Sequence, residues 1–288
     1  MFMKLGVLVS GKLGLTVLKS IINSFEIIFV FTDKNSNYIS NFCDRKNIPC
    51  FIGNPRNNKS SSFIFNKSID VLVSVNYLFI IKKNLICHPK ILAFNIHGSL
   101  LPKYRGRTPH VWAIINGEKK TGITAHIIDN TCDTGDIIYQ EEITIKKSYT
   151  GADILKIFEL RYPYITLKVL NDISKNSINR LKQDEKKASY FPKRSPHDGK
   201  INLNMKSKKI YDWVRAQSFP YPGSFVIYKS NKIIIDQVKV LSIKFDKKLR
   251  NGTIININPL RIKVQDGILE LTKLRNPNES FKINTIFE

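Results

Sequence analysis

The N-terminal half of the chain alternates between short apolar runs and segments long enough to form helices. The apolar runs are Lys4–Val9, Glu26–Phe31, Pro49–Ile52, Asp70–Val75 and Ile91–Ile96, and the first two spacers are the predicted helices Leu13–Asn23 and Ser36–Lys46. This order is typical of βαβ units, in which helices join parallel strands and cover the sheet. We therefore predict an α/β fold with a Rossmann-like, mostly parallel sheet. Ligands of such sheets bind beyond the carboxyl ends of the strands.

A strand and a long helix are predicted in the middle of the chain. The strand is Ile137–Ile145, and the helix is Gly151–Leu181, in which Pro163 can cause a break. Thr150 and Asp153 have the spacing of an N-cap residue and its partner. The helix is therefore expected to begin directly after Thr150.

The C-terminal part begins with a charged, proline-containing segment, Lys182–His197, and a predicted helix at Met205–Gln217. The strand candidates that follow, separated by Asn-Gly, Asn-Pro and Asp-Gly turns, are Ser224–Tyr228, Lys232–Ile243, Gly252–Ile257, Arg261–Val264 and Ile268–Leu271. Such spacing predicts a small antiparallel β domain, either a sandwich or a barrel. The expected organisation is a domain at 1–182, a linker at 183–204, and a helix with a small β domain at 205–288.

The chain is strongly basic, with 46 Lys and Arg against 23 Asp and Glu and a formal net charge of +23. Residues 200–288 hold 17 basic and 7 acidic side chains, and residues 1–199 hold 29 and 16. Such a field attracts polyanions such as nucleic acid, anionic lipid or nucleotide phosphates. A compositional bias toward Lys, Asn and Ile gives the same excess, so whether the charge is functional stays open.

The composition excludes several classes of protein. Hydrophobic residues make up 42% and charged residues 24%, which is typical of a globular chain and not of a disordered one. No apolar run approaches the roughly 20 residues that cross a bilayer, so we expect a cytoplasmic protein without a membrane partner. The four cysteines form no CxxC pair, and the five histidines lack the spacing of metal ligands, so no disulfide framework and no metal are expected.

Two stretches carry candidate catalytic residues. Asn95 and His97 lie two apart at the end of a predicted strand, where their side chains share a face. An imidazole that moves a proton beside an amide that stabilises an oxyanion suits acyl transfer. Asp133, in the acid-rich stretch Thr121–Asp136, can orient such an imidazole. Taken singly, each of these residues could equally make structural hydrogen bonds.

A glycine-containing turn, Ser10-Gly11-Lys12-Leu13-Gly14, follows the first strand. It is neither a GxGxxG nor a Walker motif, and it is therefore weak evidence for a nucleotide. Its backbone N–H groups could hold an anion at a helix N-terminus, or the turn could be purely structural. Ser10, Gly11 and Lys12 are therefore candidate substrate contacts.

The combination of motifs is far more specific than any one of them. The chain reads Asn-x-His-x-Ser-Leu-Leu-Pro-x-Tyr-Arg-Gly from Asn95, then Thr-Gly-x-Thr-x-His from Thr121, then Asp-Thr-Gly from Asp133. This pattern resembles the folate-dependent formyltransferase family, which includes enzymes that act on methionyl-tRNA, on glycinamide ribonucleotide and on amino sugars. The resemblance is dense between residues 70 and 145 and continues through Tyr190–Arg194 and Tyr211–Phe225.

The resemblance implies an enzyme whose catalytic domain is the expected domain 1–182. The family's catalytic Asn, His and Asp fall on Asn95, His97 and Asp133. Its formyl donor is N10-formyltetrahydrofolate, and it uses no metal. The pterin is held between two loops, which places candidate contacts at Ser74, Asn76, Tyr77, Leu78, Ile128 and Asp129.

The motifs are most like those of the nucleotide-sugar branch of the family. Lys103–Pro109 followed by Trp112, and Pro192–Gly199, resemble the amino-sugar enzymes, whose substrate is a dTDP- or UDP-linked amino-deoxy sugar. Its diphosphate needs cations, and the candidate contacts besides the glycine turn are Arg105, Gly106 and Arg107. The segment Asp33–Lys46 leaves no room for the extra basic loop of the tRNA enzymes.

We therefore expect a small-molecule nucleotide-sugar substrate and no nucleic-acid partner, with methionyl-tRNA formyltransferase as the alternative. A sugar product implies polysaccharide biosynthesis. The small β domain is a candidate homodimer interface. The sequence leaves open the sugar, the amine position (C3 or C4), the carrier nucleotide and the oligomeric state.

Overall fold

A computed structural model describes residues 3–56, 58–275 and 279–288 of the 288-residue chain. The chain forms two compact units. The first unit comprises Met1–Gly106, Gly122–Ile143 and Lys156–Phe191, and the second comprises Arg107–Thr121, Thr144–Leu155 and Pro192–Glu288. Each unit is described separately below.

Strands and helices alternate over the first five strands, and after these the fifth strand is followed directly by the sixth strand, and the seventh by the eighth. In chain order they are β1 (Lys4–Val9), α1 (Gly11–Ile21), β2 (Glu26–Thr32), α2 (Asn37–Arg45), β3 (Cys50–Ile52), α3 (Asn58–Ile64), β4 (Val71–Val75), α4 (Lys83–Ile86), β5 (Leu92–His97), β6 (Arg105–Gly106), α5 (Pro109–Ile115), β7 (Lys120–Ile127), β8 (Ile137–Thr144) and α6 (Gly151–Ser174). The remainder are β9 (Tyr190–Phe191), α7 (Ser207–Ala216), β10 (Ser224–Tyr228), β11 (Asn231–Leu241), β12 (Ile254–Ile257), β13 (Leu260–Val264) and β14 (Gly267–Arg275).

Seven strands form the large sheet, in the order β3-β2-β1-β4-β5-β7-β8. The pairs from β3 to β5 are parallel, whereas β5 and β7 are antiparallel. The central strands β1 and β4 are almost entirely buried, which matches their unbroken apolar sequences. The predicted α/β, Rossmann-like and mostly parallel sheet is therefore confirmed.

The long helix α6 differs from its prediction in two ways. It continues through Pro163 without a break, and it ends at Ser174 and not at Leu181. Its buried residues Phe158, Tyr162 and Val169 recur at helical spacing, so packing outweighs the hydrogen bond that proline cannot donate. Leu181 forms a β-bridge to Ile137 instead.

The start of α6 follows the prediction. The Thr150 and Asp153 side chains satisfy each other's backbone N–H groups at 3.2 and 2.9 Å, as a capping pair does. None of the described helices combines the length and the apolar character that a bilayer crossing requires.

The second unit contains a five-stranded antiparallel sheet in the order β10-β11-β14-β13-β12. The helix α7 contributes Ile210 and Val214 to a core that also holds Tyr228 and Phe287. The predicted small antiparallel β domain is thus confirmed, as one curved layer of strands against a helix.

Candidate functional site

Register in the large sheet places three polar side chains in one row. Ser74 of β4 pairs with Asn95 of β5, and Asn95 pairs with His126 of β7. Directly paired residues project to the same face, and the distance from Asn95 Nδ2 to His126 Nε2 is 3.2 Å. His97 lies two residues beyond Asn95, at the carboxyl end of β5. The strand ends therefore assemble the polar cluster that the sequence predicts there.

The imidazole of His97 is buried, and both of its nitrogens have a neighbour. Nε2 lies 2.8 Å from the carbonyl oxygen of Tyr104, and Nδ1 lies 3.5 Å from Asp133 Oδ2. A carbonyl oxygen only accepts hydrogen bonds, so Nε2 carries a hydrogen and donates a hydrogen bond to the Tyr104 carbonyl. Proton exchange is then left to Nδ1, which faces the carboxylate of Asp133.

Asp133 is held by its backbone as well as by its side chain. Its φ of +58° lies in the left-handed region, which non-glycine residues rarely adopt. The N–H of Gly106 donates to Oδ2 at 2.9 Å, and Oδ1 lies 3.4 Å from Nε2 of His126. Cys132 Sγ also contacts Oδ2, at 3.4 Å. The carboxylate therefore has a defined orientation between two imidazoles.

Burial alone would raise the pKa of Asp133. The positive charge that His97 can carry, the hydrogen bond from His126 and the Gly106 N–H outweigh burial and hold the pKa well below its usual range. Asp133 therefore stays ionised at neutral pH, where it can stabilise a protonated imidazole. Burial, and then this negative charge, raise the pKa of the Tyr162 phenol.

His126 is a further member of the polar cluster at the strand ends, and the sequence pattern did not assign it a role. Its Nδ1 donates to the carbonyl of Ile127 at 2.8 Å, and its Nε2 faces both Asn95 and Asp133. Unprotonated Nε2 accepts from the amide of Asn95, and protonated Nε2 donates to Asp133. The signal was present in the Thr-Gly-x-Thr-x-His motif, since the strand places Thr124 and His126 on one face.

The predicted glycine turn lies at the start of α1, and it is already tied to its neighbours. The Gly11 N–H donates to Ser36 Oγ at 3.0 Å, and the Ser10 carbonyl accepts from Asn76 Nδ2 at 2.9 Å. Ser10 is buried and Lys12 is exposed. The structure thus brings Ser10 and Asn76, which were predicted for different ligands, into direct contact.

The two predicted pterin loops follow β4 and β7. Tyr77 and Ile128 pack against the same apolar cluster, whereas Leu78 is 40% exposed. The carboxylate of Asp129 accepts from the hydroxyl groups of Thr131 and Thr134, so it shapes its own loop. Ser74 of β4 and Asn95 of β5 pair with each other near the carboxyl ends of their strands.

The predicted substrate contacts Arg105, Gly106 and Arg107 have separate environments. The guanidinium of Arg105 is fully buried and bonded to Gln183, Glu185 and Tyr190. The N–H of Gly106 donates a hydrogen bond to Asp133 Oδ2. Arg107 belongs to the second unit. Gln183, for which the sequence held no signal, donates to the carbonyls of Asp133 and Gly135.

The arrangement is suited to moving an acyl group onto a nucleophile. It offers an amide donor at Asn95 and an imidazole at His97 whose Nδ1 faces a carboxylate. That carboxylate, Asp133, can stabilise the imidazolium form of His97. All of these groups lie in the first unit, at the carboxyl ends of its strands.

Comparison with known sequences agrees with this chemistry. The family model described as formyl transferase matches residues 10–160, just over half of the chain, and the one described as formyl transferase, C-terminal domain, matches residues 193–284. The bifunctional polymyxin resistance protein ArnA of Wigglesworthia glossinidia brevipalpis is 38% identical over 78% of this chain. This chain spans only 34% of that relative. Methionyl-tRNA formyltransferase of Clostridium acetobutylicum is 33% identical over 82% of this chain and 76% of its own length.

Solved structures with the same fold include two formyltransferases. WlaRD, a sugar 3N-formyl transferase studied with dTDP and 5-N-formyl-THF, superposes with a TM-score of 0.72 and 24% identity over 96% of this chain and 99% of its own. A 4-N formyltransferase from Francisella tularensis superposes with a TM-score of 0.66 and 25% identity, over 81% of this chain and 96% of its own.

Proposed function

Because this chain belongs to the formyl transferase family, we propose that it transfers a formyl group from N10-formyltetrahydrofolate to the primary amine of a dTDP- or UDP-linked amino-deoxy sugar. The family membership supports formyl transfer, and WlaRD, which was studied with dTDP and 5-N-formyl-THF, supports both substrates. The row of Ser74, Asn95 and His126 beside the two pterin loops fits a formyl donor held at the strand ends.

The proposed chemistry uses His97 and Asp133 as one unit. An unprotonated amine attacks the formyl carbon, and its proton must reach the nitrogen that leaves. Asp133 is a weak base because its pKa is held low, so it acts by stabilising the imidazolium of His97 and not by carrying the proton itself. Nδ1 of His97 is the atom that exchanges the proton, since Nε2 stays bonded to Tyr104.

Asn95 stabilises the negative charge that develops on the formyl oxygen. One hydrogen of its amide can bond to His126, which leaves the second free to point toward the ligand. Removing one such donor costs about 100- to 1000-fold in kcat in other acyl-transfer enzymes. His126 holds the amide in the orientation that this role needs.

The observation that carries the choice of a sugar acceptor is the short connection between β2 and α2. Only Asp33, Lys34, Asn35 and Ser36 separate the two elements, and Ser36 is tied to Asp33 by a 2.6 Å hydrogen bond. The connection therefore has no room for the additional basic loop that the tRNA branch carries after its second strand.

Methionyl-tRNA is the second candidate acceptor. The 33% identical relative that acts on it and the net charge of +23 favour this alternative. These observations favour a different acceptor from the short connection between β2 and α2, so a direct assay decides between the two.

The test is a mass-spectrometric formylation assay of the full chain. N10-formyltetrahydrofolate is supplied with a panel of dTDP- and UDP-linked 3-amino and 4-amino sugars, and methionyl-tRNA is supplied in parallel. We expect one nucleotide sugar to gain a formyl group, and the product then identifies both the carrier and the amine position. His97→Ala and Asn95→Ala are the inactive controls, since each removes a group placed in the reaction.

Formylated methionyl-tRNA with every sugar unchanged would replace the sugar acceptor by the tRNA acceptor. Full activity of His97→Ala with any acceptor would remove His97 from the mechanism.

A further inference from the structure

Arg105 is the largest fully buried side chain of the described residues, and its charge is completely engaged inside the first unit. Its Nη1 and Nη2 donate to the two carboxylate oxygens of Glu185 at 2.8 and 2.6 Å. Its Nε and Nη2 donate to Gln183 Oε1 at 3.1 and 2.8 Å, and Nη1 also donates to the Tyr190 hydroxyl at 2.5 Å. No donor of this guanidinium is left to reach a diphosphate.

The two sequence neighbours of Arg105 both hold catalytic groups. The carbonyl of Tyr104 accepts from Nε2 of His97 at 2.8 Å, and the N–H of Gly106 donates to Oδ2 of Asp133 at 2.9 Å. Arg105 and Gly106 form the short strand β6, which pairs with β9. A displacement of β6 would therefore move the anchors of His97 and Asp133 together.

Gln183 connects the guanidinium to the backbone of the aspartate loop. While its Oε1 accepts from Arg105, its Nε2 donates to the carbonyls of Asp133 and Gly135 at 2.9 and 2.7 Å. These two bonds fix the backbone on either side of Thr134, next to the positive φ of Asp133. Such a backbone conformation is costly and persists only where its surroundings enforce it.

We propose that Arg105 is a positioning residue, which uses Gln183 and strand β6 to hold His97 and Asp133 in reacting geometry, and that it is not a ligand of the substrate diphosphate. This inference rests on the proposed formyl transfer. The planar fork of arginine matches the task because it binds Glu185 through Nη1 and Nη2 and Gln183 through Nε and Nη2. A lysine ammonium at this position is a point charge and cannot span both partners.

The kinetic test compares four variants of the full chain. Arg105→Lys keeps the charge without the fork, and Arg105→Met removes both. Gln183→Glu retains the acceptor for Arg105 but loses both donations to the aspartate loop. Arg161→Lys is the matched control, since Arg161 forms a similar two-nitrogen bond to Glu141 in the same unit and contacts no catalytic group.

The three variants at Arg105 and Gln183 are expected to lower kcat by about 10- to 100-fold, because small displacements of reacting groups cost this much. The KM for the amino sugar should stay within about twofold, and Arg161→Lys should match the wild type. A diphosphate ligand would give the opposite split, with a raised KM and a nearly unchanged kcat. That split, or full activity of Gln183→Glu, would overturn the proposal.

A second measurement is independent of any acceptor. The carboxyl carbon of Asp133 is titrated by NMR in the wild type and in Gln183→Met, which removes both donations without adding a charge beside Asp133. The groups that face this carboxylate are His97 from β5, His126 from β7, Tyr162 from α6, and the neighbouring Cys132 thiol and Gly106 N–H. Loosening the loop weakens the contacts to His97 and Gly106, so the pKa of Asp133 should rise toward its ordinary value in the variant.

The two measurements separate the inference from the proposed function. If the wild type formylates none of the acceptors, the proposed function fails, and the Asp133 titration still decides whether Gln183 holds the aspartate loop. If the wild type is active and the titration of Asp133 is identical in Gln183→Met and the wild type, the positioning role fails. Should Arg105→Met not fold, the Gln183→Glu variant carries the decision, because it leaves the Arg105 contact with Glu185 in place.

Discussion

Asp133 shows how a single residue depends on contacts from distant parts of the chain. It contacts two imidazoles from different strands and a backbone N–H from β6, and its own carbonyl is held by Gln183. Its side chain is only 12% exposed. A buried carboxylate is stable only when it is paired and hydrogen-bonded, and the two imidazoles and the Gly106 N–H are the partners that keep it ionised.

This environment makes stability depend on pH through Asp133. The folded pKa lies below the unfolded value of about 3.9, so ionised Asp133 stabilises the fold above that pH, and its contribution is lost as the pH falls through the folded pKa. Asp133→Asn should therefore lower the free energy of unfolding by about 2 kcal/mol at pH 7. The difference from the wild type should narrow progressively below about pH 4. Urea unfolding between pH 3 and 8 measures it.

The control for this titration is Asp44→Asn, because Asp44 is exposed. Its unfolding free energy at pH 7 should lie within about 0.5 kcal/mol of the wild-type value. A constant difference between wild type and Asp133→Asn across the whole range would show that Asp133 is not ionised differently in the folded and unfolded chain.

The helix α6 illustrates a conflict between local preference and packing. Pro163 cannot donate to the carbonyl four residues earlier, yet the helix continues to Ser174. The buried face, which includes Phe158, Tyr162 and Val169, keeps the two halves in line. Packing thus offsets a local cost of about 3 kcal/mol relative to alanine.

Pro163→Ala should restore the missing donor and stabilise the protein. The gain in the helix is offset by the greater freedom that alanine gives the unfolded chain, so we expect a net stabilisation of about 2 kcal/mol. The measurement is the urea midpoint at constant pH. Leu160→Ala, at a 76% exposed position of the same helix, should change stability by less than about 0.5 kcal/mol. A lower midpoint for Pro163→Ala would mean that the packing of the proline ring contributes more to stability than the restored hydrogen bond.

The parallel strands of the large sheet could be predicted because each one corresponds to a short, mostly apolar run in the sequence. Lys4–Val9 is a strand over its full predicted range, and the capping pair Thr150 and Asp153 lies where its spacing predicts. The catalytic candidates Asn95 and His97 were found in the same way, from two positions on one strand. These features need only a few neighbouring residues to be recognised.

The surroundings of Arg105 could not be predicted, for a physical reason. An arginine is rarely buried unless it is paired, and the partners Gln183, Glu185 and Tyr190 lie about 80 residues further along the chain. Only the folded arrangement, in which β6 pairs with β9, brings them together. The sequence pattern therefore predicted a cation for the substrate diphosphate at a position where the structure has a buried arginine paired with protein groups.

At the scale of the whole molecule, the dominant property is the net charge of +23 with a sequence pI of about 9.8. The excess is spread along the chain, since residues 1–199 and residues 200–288 are both basic. A field of this kind attracts any polyanion through release of its counterions. Attraction of this sort falls steeply with salt, whereas a site built for one small anion depends on a few fixed contacts.

If the acceptor is a nucleotide sugar, RNA should bind only through this general field. Added tRNA should then slow sugar formylation at about 50 mM salt and have no effect at about 200 mM, since 6 to 10 phosphate contacts lose about 1,000-fold or more in affinity over that range. The KM of the sugar, measured without tRNA at both salt concentrations, is the control for direct effects of salt on the enzyme. Inhibition that persists at 200 mM, competes with the sugar and is stronger for methionyl-tRNA than for uncharged tRNA would indicate a dedicated tRNA site. The basic charge would then be part of the function and not a compositional bias.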